Sequence, residues 1–193
     1  MFGSIDLARV QAALRQAPTS ELSRPRRAAV ALVLANSHES GSLAVLLVRR
    51  TERAGDPWSG HMALPGGHAQ PEDANLLETA RRETLEEVGI DLASAELLGL
   101  LDDVSLMRSS EMAVRPFVFW LGEKPEAQLS AEVAEVVWVG LDDLASDALR
   151  STSEVQVQGA ALRVPAYVIE ERVVWGMTFH LLEQLCAKVR AFA

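Results

Sequence analysis

The apolar run AAVALVLA, residues 28–35, is the feature that most limits how this chain can fold. It is much too short to cross a bilayer, so it predicts a strand buried in the interior. The polar segment NSHESG separates it from a second apolar run, SLAVLLVRR, which ends at Arg50. The pattern predicts two strands that pair like a hairpin.

Later segments extend the same pattern. AELLGLLDDV, AVRPFVFWL and VAEVVWVGL are typical of further strands, whereas LDDLASDALR and GMTFHLLEQLCAKVRAF predict helices. One helix is predicted between the strands, over roughly residues 75–88, with Asp73 or Asn75 as its N-cap and Gly89 ending it. This order indicates an α/β (α+β) fold in which helices pack against a mixed sheet.

The first 27 residues predict a helix and a linker in front of the main domain, residues 28–193. MFGSIDLARVQAALRQ is amphipathic, and the two prolines of APTSELSRPRR end the helix. The segment lacks a basic region followed by an apolar core, so a secretion signal is not predicted. An organellar transit peptide is the alternative to an ordinary N-terminal helix.

Charge and cysteine content narrow the classes of function. With a net charge of -9, the chain has no broad basic surface, so neither a nucleic acid nor a membrane is an expected partner. A small phosphorylated substrate is compatible with this charge if metal ions mask the acidic groups. The single cysteine, Cys186, excludes an intrachain disulfide and fits a reducing, cytoplasmic location.

Three glutamates crowd into RRETLEEVGI, residues 81–90. Glu86 and Glu87 follow Glu83 by three and four positions, so a helix projects all three from one face. Like charges at this spacing cost about 0.2–0.5 kcal/mol per pair, and no Lys or Arg lies between them. Mg²⁺ binds crowded carboxylates, so the segment predicts a metal-binding helix, with a solvated acidic face as the alternative.

The longer stretch GGHAQPEDANLLETARRETLEEVGI, residues 66–90, resembles the Nudix box. That box runs Gly, five residues, Glu, seven residues, Arg-Glu, an apolar residue, any residue, Glu-Glu, any residue, Gly and an apolar residue. The second half matches from Arg82 to Ile90, with a threonine in one apolar position. In the first half Asp73 replaces the first glutamate, and eight residues rather than seven separate it from Arg82.

The same insertion occurs in the coenzyme A pyrophosphatase-like branch of the Nudix hydrolases. Four further segments resemble that branch: LLVRRT, WSGHMALPGG, VRPFVF and VWGMTFHLL. The chain departs from it at Asp56, near an expected arginine, and at Leu64, which replaces a usual phenylalanine. The resemblance implies a Nudix-like α/β/α sandwich with a mixed β-sheet between helices.

A site for Mg²⁺ or Mn²⁺ follows from the same resemblance. Glu83 and Glu87 are then the primary metal ligands, with Glu86 on the same face. Arg82 is expected to orient Glu83 as an indirect partner of the metal. A backbone carbonyl of the Gly66–Gly67 pair is expected close to the metal, where a Cβ would obstruct it.

The sequence leaves more than one interpretation open for the general base and for the residues that contact the substrate. Glu132 precedes a strand where many Nudix enzymes carry a loop glutamate, and Glu86 is the alternative base. Glu132 could equally be an exposed charge at a strand edge. Arg50 could grip a substrate phosphate or be solvated at the end of its strand.

The aromatic residues divide in the same way. Trp58 is the candidate for stacking on a substrate base, whereas Trp138 and Trp175 are predicted core residues. His61, beside the glycine loop, is predicted to be structural rather than a substrate contact.

The resemblance therefore implies a divalent-metal-dependent hydrolase. Its substrate would be a nucleoside diphosphate linked to another moiety through a pyrophosphate bond, with coenzyme A or an acyl-coenzyme A favoured. ADP-ribose, dinucleotides and nucleoside triphosphates are alternatives within this chemistry, and a non-catalytic Nudix ligand-binding module is the alternative of another class. The expected partner is a small nucleotide-type molecule, and a terminal helix could also join two copies in a homodimer.

Overall fold

The computed structural model describes residues 4–18, 21–37, 42–55, 58–106, 109–157 and 159–192. Its helices are α1 Leu7–Leu14, α2 Leu76–Val88, α3 Leu141–Ala145 and α4 Gly176–Ala191. Its strands are β1 Arg26–Asn36, β2 Leu43–Arg50, β3 Met62–Ala63, β4 Gly66–His68, β5 Glu96–Leu100, β6 Val104–Leu106, β7 Ser109–Trp120, β8 Val133–Gly140, β9 Arg150–Val157, β10 Ala160–Ile169 and β11 Arg172–Trp175. The α+β class predicted from the sequence is confirmed.

Strand β1 organises the main sheet. It pairs antiparallel with β2 and with β4, where Ala29 lies opposite Gly67, and it runs parallel to β7 along Arg26–Leu34. Strand β2 pairs with β3 and β8, and β7 pairs with β5 and β6, all antiparallel. The sheet is therefore mixed, and the predicted pairing of the first two strands is confirmed. Residues 38–41 of the predicted turn between them lie outside the described residues.

Two helical layers cover the two faces of this sheet. Val30 and Leu32 of β1 belong to the core shared with α1 and α4. Ala31 and Val33, which alternate with them, belong to the core shared with α2. Because successive side chains of a strand point to opposite faces, α2 lies on one face and the terminal helices lie on the other. This arrangement is the predicted α/β/α sandwich.

A second sheet of three antiparallel strands, β9–β10–β11, was not predicted. The exposed positions of β9 are polar, and Arg163 and Pro165 interrupt the apolar residues of β10, so neither strand shows the long apolar run that marks β1 and β2. The helix predicted over LDDLASDALR is correspondingly too long. Helix α3 ends at Ala145, Asp147 adopts a left-handed φ of 61°, and β9 begins at Arg150.

Helix α1 packs into the main core rather than standing apart. Val10 and Leu14 are buried in the same cluster as the apolar face of α4. The Arg9 side chain donates from Nε to the Val189 carbonyl oxygen at 2.8 Å, which joins the two terminal helices. Strand β1 begins at Arg26, so the division between a linker and a main domain at residues 27 and 28 stays a prediction.

Candidate active site

Helix α2 carries the glutamate cluster, and local hydrogen bonds fix both of its ends. Asn75 Oδ1 accepts hydrogen bonds from the backbone N–H groups of Leu77 and Glu78, at 2.9 and 3.1 Å. Gly89, with a φ of 69°, ends the helix and donates its N–H to the last turn at 2.9 Å. Asn75, rather than Asp73, is therefore the N-cap, and the glutamates have a fixed position along the sheet.

Strand β4 lies directly against two of the three glutamates. The Gly66 N–H donates to Glu87 Oε2 at 3.1 Å. At Gly66, where φ is 151°, a Cβ would lie 2.3 Å from the Ala29 carbonyl oxygen, so only glycine fits there, whereas a Cβ at Gly67 would lie 2.5 Å from Glu83 Oε1 and would displace that carboxylate. The glutamates also differ in depth, because Glu87 is 8% exposed whereas the Glu86 side chain is 56% exposed. The three glutamates thus share the predicted helix face, with Glu87 buried against the sheet and Glu86 exposed to solvent.

Arg82 joins the helix to the residues before it. Its Nε and Nη2 bind Oδ1 and Oδ2 of Asp73 at 2.9 and 3.0 Å, and Nη2 also donates to the His68 carbonyl oxygen at 3.1 Å. Its Nη1 binds Glu83 Oε1 at 2.9 Å and Glu86 Oε2 at 3.1 Å. A guanidinium carries five N–H donors, and these five hydrogen bonds use all of them.

This network corrects the expectation that no positive charge separates the glutamates. Arg82 precedes them in the sequence, but its side chain reaches between Glu83 and Glu86. It also explains Asp73, which the sequence showed only as a departure from the Nudix box. The Arg82 guanidinium holds the pKa of the Asp73 carboxyl well below its usual range, so this side chain, 6% exposed, stays ionised.

Two further candidates lie near Glu87, namely Arg50 at the end of β2 and Glu132 in the loop before β8. The backbone of this loop is tied to the end of α2, because Gln128 N–H donates to the Val88 carbonyl oxygen and Ser130 N–H to that of Glu87, at 2.8 and 2.9 Å. The negative charge of Glu132 raises the pKa of Glu87, and the positive charge of Arg50 lowers it. Both predicted residues therefore lie within electrostatic reach of the buried glutamate. Their roles as base and phosphate contact stay predictions.

The aromatic residues depart from the sequence prediction. Trp175 is only partly buried, and its ring centroid lies 5.1 Å from that of His61 and 6.1 Å from that of Trp58. It is therefore not the core residue that its apolar neighbours suggested, whereas Trp138 packs against the core under α2. Asp56, which precedes Trp58, lies outside the described residues.

Comparison with known families decides the class of protein. The family model of the NUDIX domain matches residues 25–158. The chain belongs to the Nudix family. NudL, an uncharacterised Nudix hydrolase of Photorhabdus laumondii, is 32% identical over 148 residues, which cover 75% of this chain and 77% of that protein. An uncharacterised protein of Schizosaccharomyces pombe is 39% identical over 142 residues; these are 62% of this chain and 43% of that protein, so the chain spans less than half of that relative.

Among solved structures, the Nudix chain resembles a NUDIX hydrolase from Alicyclobacillus acidocaldarius. The TM-score is 0.55 at 19% identity, and the match covers 88% of this chain and 93% of that protein. At this identity the likeness shows the fold alone. The Nudix family comprises hydrolases that act on phosphorus anhydrides, and its members generally use divalent metal ions.

The oxygen donors on α2 suit a divalent cation. Burial, with a smaller contribution from the charge of Glu83, raises the pKa of Glu87 to about 7, so added positive charge would stabilise its ionised form. Within the described residues, no three acidic, histidine or cysteine side chains converge as metal ligands. Glu83 and Glu86 instead bind Arg82, and Glu87 accepts a hydrogen bond from the backbone of β4. The donor chemistry fits, and the ligand roles of the glutamates and of Gly67 stay predictions.

Replacing Glu87 by glutamine is expected to stabilise the protein at pH 8. Because its folded pKa is raised above the unfolded value of 4.5, the carboxyl favours the folded state while protonated, and this advantage is lost as the pH rises to about 7. The loss amounts to about 3 kcal/mol. Urea unfolding with a chelator present should show Glu87→Gln more stable than wild type at pH 8 and similar to it below pH 4.5.

The control for this measurement is Glu86→Gln, which removes an exposed carboxyl from the same turn. It should leave the pH dependence of the free energy of unfolding as in wild type. A Glu87→Gln protein with the wild-type pH dependence would contradict the assignment of Glu87 as a buried, destabilising charge.

Proposed function

We propose that this Nudix hydrolase cleaves the pyrophosphate bond of a nucleoside diphosphate linked to another moiety, using Mg²⁺ or Mn²⁺. Coenzyme A or an acyl-coenzyme A is the proposed substrate. One observation carries the proposal: Glu83, Glu86 and Glu87 lie side by side on α2, beside Gly66, where a Cβ would meet the backbone, and Gly67, where a Cβ would displace the Glu83 carboxylate. The extra residue between Asp73 and Arg82 and the four segments outside the box support the coenzyme A branch.

Each residue has a defined task in this proposal. Glu83 and Glu87 would hold the cation together with Glu86 and the carbonyl of Gly67, and a cation there would supply positive charge to stabilise the phosphoryl oxygens and the leaving phosphate. Arg82 keeps the Glu83 carboxylate turned towards β4 through its hydrogen bond at 2.9 Å.

Two residues near Glu87 complete the proposed mechanism. The Glu132 carboxylate takes the proton of the attacking water, with Glu86 as the alternative base. Arg50, whose charge already acts on Glu87, binds a phosphate of the substrate. The Arg53 side chain donates to Glu132 Oε1 at 3.3 Å and so helps to position that carboxylate.

Cleavage of a substrate panel tests the proposal. The panel contains coenzyme A, acetyl-coenzyme A, ADP-ribose, NADH, diadenosine tetraphosphate and nucleoside triphosphates, each with Mg²⁺, with Mn²⁺ and with a chelator, and the nucleotide products are separated by chromatography. Metal-dependent cleavage of coenzyme A above the rest is the expected result. Preference for another member of the panel would support the hydrolase chemistry but contradict the assignment to the coenzyme A pyrophosphatase-like branch. Failure to cleave any member would favour the non-catalytic ligand-binding module.

Location and assembly are also proposals. The helices within the described ranges lack the length and apolar composition needed to cross a bilayer. A cytoplasmic protein remains the proposal, with a transit peptide in residues 1–27 as the alternative. A homodimer formed through a terminal helix would have to use the outer surface of α1 or α4, because their apolar faces are already packed in their own chain. Light scattering during gel filtration would measure its mass.

A further inference from the structure

A groove of about 990 Å³ lies between the main sheet and the three-stranded sheet. Arg49 of β2, Glu135 of β8 and Arg172 of β11 line it. Leu47 belongs to the core under α1 and α4, and Val48 to the core under α2, so Arg49 points to the face opposite α2. The groove is therefore separate from the glutamate face, and its volume is in the range of small-molecule sites.

One wall of this groove is aromatic. His61 and Trp175 line it, with ring centroids 5.1 Å apart and planes inclined at 69°. Trp58 packs against both rings, at 5.9 and 6.1 Å, and is 44% exposed. Three rings held together and partly exposed form a surface on which a flat ring can stack at little cost in side-chain entropy.

The facing wall is charged, but its charges are paired. Glu135 accepts two hydrogen bonds from Arg172, both at 3.0 Å, and one from Arg49 at 2.7 Å. Arg172 also binds Glu170, and Glu171 adds a further acid to the lining. With three glutamates and two arginines, this wall does not favour a phosphate. It instead offers fixed polar groups of the kind that orient a neutral heterocycle.

The groove meets the candidate active site at the end of β2. Arg49 and Arg50 are the last two residues of that strand, and its register with β8 shifts between them. Arg49 lines the groove, whereas the charge of Arg50 acts on Glu87. One extended molecule could therefore place its phosphates beside Glu87 and its ring in the groove by passing the end of a single strand.

We propose that this groove binds an uncharged planar nitrogen heterocycle through Trp175, His61 and Trp58. In the intact enzyme the heterocycle is the base of the nucleotide substrate. That assignment to the substrate rests on the proposed function, whereas binding of a free nucleoside does not.

Equilibrium dialysis of the full chain with radiolabelled adenosine, in the presence of a chelator, tests the inference. Adenosine should bind saturably, and unlabelled ribose 5-phosphate should not compete. Trp175→Ala should weaken binding by roughly tenfold, as expected for the loss of one base-stacking ring, and Trp175→Phe should retain most of the affinity. Trp58→Ala removes an exposed ring, so it provides a test even if Trp175→Ala fails to fold.

The matched control is Trp138→Phe, which alters a tryptophan on the opposite face of the sheet. It should bind adenosine as wild type does. The inference is overturned if adenosine shows no saturable binding, if ribose 5-phosphate competes, or if the Trp58 and Trp175 variants bind normally. Turnover on the substrate panel separates the two proposals. Turnover without adenosine binding would contradict only the proposal that the groove binds a heterocycle. Adenosine binding without turnover would contradict only the proposed hydrolase activity.

Discussion

The Glu86→Gln variant is expected to lose roughly a thousandfold in metal-dependent turnover while keeping its fold. Its carboxylate is the most exposed of the three and makes one ion pair, with Arg82 at 3.1 Å. Removing that pair should change the free energy of unfolding by no more than about 0.5 kcal/mol. The loss should appear in kcat with the best substrate of the panel and should persist at saturating Mg²⁺. Circular dichroism and urea unfolding would establish that the fold is intact.

Glu78→Gln is the matched control for this variant. Glu78 lies on the same helix, is also exposed, and also pairs with an arginine, Arg81, at 2.8 Å. It lies outside the cluster formed by the other three glutamates. Its replacement should leave kcat within about twofold of wild type. Equal activity of the two variants would remove Glu86 from the proposed mechanism.

The Arg82→Met variant is expected to lose about 3 kcal/mol of stability. Methionine keeps an unbranched side chain but leaves the buried carboxylate of Asp73 without its two hydrogen bonds from the guanidinium. Because the folded pKa of Asp73 lies below its unfolded value, this stabilisation is present above about pH 4 and disappears as the pH falls. Urea unfolding at pH 7 and pH 3 should therefore show a large difference from wild type that shrinks on acidification.

Arg81→Met controls for the loss of an arginine from the same helix. Arg81 forms its ion pair with Glu78, so its replacement should cost less than about 1 kcal/mol. Arg82→Met should also reduce turnover, by roughly 10- to 100-fold, because Glu83 loses the contact that orients it. Equal stability of the two variants at pH 7 would show that the five-bond network does not hold α2 to the residues before it.

Features set by neighbouring residues could be predicted from the sequence. Asn75 and Gly89 fix the ends of α2 through hydrogen bonds within a few residues, so both ends were recognisable. Long apolar runs likewise marked β1 and β2. The contacts of Arg82 with Asp73 and with the His68 carbonyl oxygen could not be predicted, because β4 and the loop after it bring these two groups back to the helix.

The unpredicted features depend on contacts between distant segments. Strand β9 has exposed polar residues, and Arg163 and Pro165 interrupt β10, so these segments become strands only through the pairing of β10 with β9 and with β11. Trp175 occupies an apolar segment, which favours a core position, but the loop containing Trp58 and His61 leaves it at the side of a groove. Helical geometry could not predict how deeply each of the three glutamates is buried, because burial depends on where β4 and the loop before β8 contact the helix.

The parallel pairing of β1 with β7 has a consequence for how the protein is made. Arg26 pairs with Met112, so roughly 86 residues must leave the ribosome after β1 before its partner appears. At about 5–20 residues per second this delay is roughly 4–17 s, during which one edge of a strongly apolar strand is open to other chains. Helix α4, which closes the core over β1, emerges last of all. The nascent chain is therefore expected to depend on chaperones more than its size alone would suggest.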